Sequence, residues 1–93
     1  MNNSINELSR NVTIKNHLGL HARSAAKIAK LAQNGKSNVW LIKDGRKADA
    51  SSIIDILTLV CPKGSIITIK IDDQSDIRIL NDLVQLIESG FGE

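Results

Sequence analysis

Polar and apolar positions change period several times along this chain, and each change marks an element. In NVTIKN, Val12 and Ile14 alternate with polar neighbours, the period of two that predicts a strand with one buried face. HLG interrupts it. From Ala22 onward Ala22, Ala25, Ala26, Ala29 and Ala32 recur at helical spacing, with Ile28 and Leu31 flanking the stripe. Such small side chains let a helix lie close to a sheet. Arg23, Lys27 and Lys30 share the opposite face, and Asn34-Gly35 closes the helix. NVWLIK and RKADA then flank KDGR, where Asp44-Gly45 is a strong hairpin signal. SSIIDILTLV opens with a serine cap and runs on as a short, very apolar helix over 52–60. After CPKG, SIITIKI turns Ile67, Ile69 and Ile71 to one face of a strand. A last helix lines up Ile77, Leu80, Leu83, Val84 and Ile87 and ends at Gly90. The order βαββαβα fits a two-layer α+β domain, with helices on one face of a mainly antiparallel sheet.

The helix over 52–60 is apolar nearly all round. Ile53, Ile54 and Leu57 cannot all point inward together with Ile56 and Leu59, so part of this surface is expected to remain exposed and to meet a partner. Burial under the N-terminal tail or a loop is the plainer alternative. Residues 1–9 are polar with scattered apolar side chains and are expected to form a loose, flexible tail. Residues 10–93 then make one domain, without repeats or an internal linker.

Charge divides the chain. Residues 10–47 carry nine lysines and arginines against Asp44 alone, whereas residues 48–93 carry three against eight acids. A basic half suits an acidic partner or a phosphate, although ordinary solvated charge explains it as well. The single cysteine, Cys61, excludes an intrachain disulfide framework, and no zinc-ligand spacing occurs. Neither a secretory signal nor a stretch of membrane-spanning length is present, so a reducing cytoplasm is the expected compartment.

The chemistry concentrates in NHLGLHARSAAKIAKLAQ, residues 16–33. His21 stands where a small oxygen-bearing cap normally precedes a helix, with Arg23 two places on. A helix start presents backbone N–H groups without intrahelical acceptors and a partial positive charge, which together favour anions. That field disfavours imidazolium, so a neutral ring with a nucleophilic nitrogen is expected near pH 7. A phosphoryl group on that nitrogen would meet N–H donors and a guanidinium. Gly19 allows a tight turn into the helix. A plain cap or surface histidine is the commoner role for such a residue. His17 lies outside the reach of the helix field, and its four-residue spacing from His21 suits a metal only within one helix, which Gly19 opposes. Ser51 and Ser52 are most simply helix caps.

HLGLHARSAAKIAKLAQ resembles the active-site segment of the histidine-containing phosphocarrier protein (HPr) family of the bacterial phosphotransferase system. DASSIIDILTLVCPKGSIITI is similar to that family's second-helix segment, and the likeness extends from about Arg10 to Gly90. The ending LIESGFGE is similar to NPr, the nitrogen-branch paralogue. The resemblance implies an open-faced β-sandwich with sheet order 1-4-2-3 and three helices on one side. It implies a phosphoryl carrier rather than an enzyme: His21 accepts the group on Nδ1 from enzyme I, charged from phosphoenolpyruvate, and passes it to an EIIA-type protein. Arg23 steadies the phosphate, with Ala22 and Ser24 completing the binding site. Lys27, Ile53, Ile54 and Leu57 would form the docking surface, and Ser52 matches a serine that a dedicated kinase modifies in some members. No cofactor, metal, nucleic acid or membrane is implied, and the expected state is a monomer.

Two residues depart from the family pattern. Ser24 replaces the usual proline after HAR and adds a hydroxyl that competes as the helix cap, which would shift the helix start past His21. Asp55 stands where many members carry a small residue, so partner preference is expected to differ. Two other functions compete with phosphoryl transfer. A nucleic-acid-binding module would use the basic half, but Trp40 and Phe91 are the only aromatics and provide no stacking platform. A regulatory protein of the same fold would dock on partners with little transfer.

Overall fold

The computed structural model describes residues 8–93. Seven strands and helices follow the chain: β1 (Ser9–Thr13), α1 (Ala22–Ala32), β2 (Val39–Lys43), β3 (Arg46–Asp49), α2 (Ile53–Leu57), β4 (Ile66–Ile71) and α3 (Ile77–Glu88). Short 3-10 turns at Gln74–Asp76 and Gly90–Gly92 flank α3. Of the tail expected over 1–9, the first seven residues lie outside the described ones. Leu8 packs against the core, and Ser9 opens β1.

The four strands form one antiparallel sheet in the order β1-β4-β2-β3. Alternation decides its two sides. Val12, Leu41, Ala48, Ile67, Ile69 and Ile71 are buried beneath the helices, whereas Asn11, Lys47, Ile66 and Lys70 stand exposed on the other side. The sandwich is therefore open on one face. α3 lies over β1 and β4, α2 over β3, and α1 packs between α2 and α3. Buried Ala25, Ala29 and Ala32 make that close fit possible, but the expected stripe is not buried throughout: Ala22 is exposed at the helix start and Ala26 is only partly covered. At the hairpin, Asp44 (φ 50°) and Gly45 (φ 81°) both take left-handed backbone, the conformation that the Asp-Gly pair favours.

The second helix is shorter than the expected 52–60. It ends at Leu57, and the next amides fold back three residues: Thr58 to Asp55, Leu59 to Ile56 and Val60 to Leu57. Val60 then turns through φ 53°. This tightening brings Ile56 and Leu59 into the core and leaves Ile53, Ile54, Leu57 and Val60 facing outward.

The site loop is fixed from a distance. The Gly19 φ is +69°, and a Cβ there would lie 2.5 Å from the Cys61 carbonyl oxygen and 2.9 Å from Pro62 Cα. Leu20 N–H donates to that same Cys61 carbonyl at 2.8 Å. Glycine is thus required twice over, by backbone conformation and by space. The far end of α1 is held by Asp76, which is buried and accepts from the amides of Lys36 and Ser37 at 3.0 Å each.

Candidate functional site

α1 begins at Ala22 because its preceding residue, His21, is extended (φ −128°) and caps the open amides with its own ring. His21 Nδ1 accepts from Arg23 N–H at 3.3 Å. The exchange is reciprocal: the Ser24 hydroxyl oxygen accepts from His21 N–H at 3.0 Å, closing a capping box. Ser24 therefore does not displace His21 as the cap. It sits three residues into the box, fully buried, and contacts the carbonyl oxygens of Gly19 and His21 at 3.3 and 3.2 Å. A buried hydroxyl that satisfies loop backbone groups is the reason serine fits here.

The first turn of α1 carries no acid, and Arg23, Lys27 and Lys30 are exposed residues along the helix. Ala22 and Arg23 are exposed beside the ring. Lys27 is tied down as well: its Nζ donates to the Phe91 carbonyl at 2.8 Å. The His21 side chain itself is 26 % exposed. The Arg23 amide meets one nitrogen of the ring and Glu93 the other.

Glu93 is a neighbour that sequence reasoning missed. Its Oε2 lies 3.0 Å from His21 Nε2, and its Oε1 accepts from Asn16 Nδ2 at 3.2 Å. Asn16 is itself buried; its Nδ2 also donates to the Gly19 carbonyl at 2.7 Å, while its Oδ1 is buried without a hydrogen-bond partner. The Asn16 hydrogen bond, followed by His21 and Arg23, outweighs desolvation and holds the Glu93 carboxyl below its ordinary range. Phe91, buried with φ 61° between Gly90 and Gly92, anchors the segment that delivers this carboxylate. In the sequence Gly90 marks only the helix end, and nothing local points from it to His21.

With Arg23 N–H directed at Nδ1, that nitrogen presents its lone pair and the ring proton falls on Nε2, facing Glu93. Chemically, this is an imidazole whose basic nitrogen points at amide donors in a cationic setting. It can act as a nucleophile toward an anion. Among the described residues no group of three potential metal-ligating side chains occurs, and His17 is exposed in the preceding turn.

α2 packs against α1, which places the exposed apolar side chains beside the basic helix. Ile54 is 79 % and Val60 69 % exposed, with Ile53 and Leu57 also open. No described residue covers them. Leu18, 62 % exposed in the site loop, adds an apolar side chain that the sequence pattern did not single out. Ser52 caps α2 by accepting from Asp55 N–H at 3.2 Å. Asp55 turns back, its Oδ2 accepting from Asp49 N–H at 2.6 Å, so it braces the β3–α2 junction.

Comparison with known proteins agrees with this geometry. The family model for the PTS HPr component phosphorylation site matches residues 8–89. The phosphocarrier protein HPr of Cupriavidus necator is 41 % identical over 92 % of this chain and 97 % of its own length. The phosphocarrier protein NPr of Shewanella violacea is 36 % identical over 94 % and 96 %. Among solved structures, HPr-C-His from Thermoanaerobacter tengcongensis superposes with a TM-score of 0.86, at 36 % identity, over 91 % of this chain and 96 % of that one. Fold and relatives together define a phosphocarrier of the α+β open-faced-sandwich class, which carries a phosphoryl group and is not an enzyme. The chain belongs to the HPr family of the phosphotransferase system. No helix of the described residues is long and apolar enough to cross a membrane.

Proposed function

We propose that His21 is the phosphoryl acceptor, taking the group on Nδ1 from enzyme I, which phosphoenolpyruvate charges, and delivering it to an EIIA-type protein. The observation that carries this reading is the aim of Nδ1 at the start of α1, with Arg23 alongside and no acid in the first turn. On transfer the Arg23 and Ser24 amides shift from the ring nitrogen to phosphoryl oxygens, and Ala22 and the Arg23 guanidinium complete the cradle. Orientation and charge come from the carrier; the partners supply the rest of the catalytic apparatus.

Ile53, Ile54 and Leu57, with Lys27 at the margin, form the surface on which both partners dock in turn. An apolar patch rimmed by cations suits a partner face that is apolar at its centre and acidic at its edge. Ser52 is the candidate target of a serine kinase. The carrier is a monomer in the cytoplasm on this reading, because a second copy seated over the His21 edge would block the approach of each partner.

The test is incorporation of acid-labile phosphate from phosphoenolpyruvate through enzyme I. His21→Ala is expected to remove it while the circular dichroism spectrum stays native. Undiminished incorporation in that variant would falsify the assignment. Arg23→Ala is expected to slow transfer more than Lys27→Ala; equal effects would mean that general positive charge suffices.

A further inference from the structure

The segment after α3 runs back to the site and is fastened there at three points. Phe91 is buried in the core, its carbonyl accepts from Lys27 Nζ at 2.8 Å, and Asn16 Nδ2 donates to Glu93 Oε1 at 3.2 Å. The second carboxylate oxygen, Oε2, is thereby left 3.0 Å from His21 Nε2, on the side of the ring opposite Nδ1. Both side chains are about a quarter exposed, so the pair is partly withdrawn from water.

We propose that Glu93 is a positioning residue for phosphoryl transfer, holding His21 in the Nε2–H tautomer and compensating the positive charge that the ring gains when Nδ1 is phosphorylated. This rests on the reading of His21 as acceptor. In the step, the Nδ1 lone pair forms the new N–P bond as the phosphorus–nitrogen bond of the phosphohistidine donor breaks, its electron pair staying with the donor. The Nε2 proton is not transferred. The ring is left cationic beside the carboxylate, as an orienting carboxylate stabilises an imidazolium in hydrolase triads. Asn16 matters because it fixes the carboxylate by the oxygen that the histidine does not use. The lowering of the Glu93 pKa has the same origin, the Asn16 hydrogen bond first, and it keeps the group ionised and able to accept.

The test pairs two readouts on the full chain and on Glu93→Gln. In the unphosphorylated protein, ring 15N chemical shifts report the tautomer: one pyridine-type nitrogen assigned to Nδ1 is expected, giving way to a tautomer mixture in Glu93→Gln. In transfer assays with phosphorylated enzyme I, Glu93→Gln is expected to lower the initial rate of His21 labelling about threefold to fivefold, the size of one partly exposed charge pair. Glu88→Gln, which removes an equal charge from the exposed end of α3, is the control and is expected to leave both readouts unchanged. An unchanged tautomer signal in Glu93→Gln overturns the proposal, as does an equal loss of rate in Glu88→Gln. Absence of labelling in the unaltered chain overturns the acceptor assignment instead, and the nitrogen shifts still judge Glu93.

Discussion

Two helices of this carrier start with capped amides, and the caps differ in what else they can do. His21 caps α1 with an imidazole nitrogen, beside Arg23 and with no acid in the first turn. Ser52 caps α2 with a hydroxyl, and Asp55 occupies that first turn. Satisfying a backbone donor is common to both. Receiving an anion is favoured only at the first, because α1 has eleven residues of aligned dipoles and a cationic surround, whereas α2 has five residues and carboxylates at Asp49 and Asp55 nearby. The capping role is local chemistry; the proposed transfer role needs the field around it.

Exchanging the caps gives the largest expected effect. His21→Ser should preserve the cap, changing stability by no more than about 0.5 kcal/mol, yet reduce acid-labile phosphate to background. Adding Ser52→His to that variant should restore none of it. Labelling at position 52 would show that any capping imidazole suffices, and the contrast between the two helix starts would collapse.

The next effect separates a tight turn from an open one. Gly19→Ala should destabilise by about 2 kcal/mol or more in a denaturant titration, because it adds steric overlap to left-handed backbone. Gly45→Ala meets nothing within 4 Å and should cost only about 1 kcal/mol. Equal midpoints would mean that the Gly19 contact is not needed to hold the site loop.

At the second helix, Asp55→Ala strands the Asp49 amide and is expected to cost about 1 kcal/mol, comparable to loss of the Ser52 cap. A chemical melt that leaves Asp55→Ala unchanged would return that side chain to the docking surface. The smallest effect concerns Cys61. Burial first, with Asp44 adding to it and Lys43 opposing, raises its thiol above the ordinary value. The folded chain thus keeps this proton when the unfolded chain has lost it, and the contribution to stability fades as pH rises past 9.0. Alkylation of Cys61 near neutral pH should follow the rate of opening; fast labelling of the native protein would contradict its burial.

Much of this was legible along the chain. The sheet-facing alternation, the alanine stripe, the Asp-Gly hairpin and the histidine before α1 are signals within a few residues, and the strand order followed from the family resemblance. Serine at position 24 was misread as a rival cap. A sequence shows that its hydroxyl exists, but only the fold shows it turned inward to the Gly19 and His21 backbone. Glu93 was invisible for a different reason. Its contact with His21 spans 72 positions, and no local pattern marks a carboxylate that is useful only after α3 has run back to the site. The apolar excess of 52–60 was read correctly as exposed surface, but not the three-residue backbonding that selects which side chains are shown.

The contact between Gly19 and the Cys61 carbonyl has a consequence for how this carrier can vary. The height at which the imidazole stands above its helix is borrowed from a bend some forty positions downstream, whose own length is set by the entry into β4. One residue inserted between Cys61 and Ser65 would therefore detune the histidine while leaving every side chain around it intact.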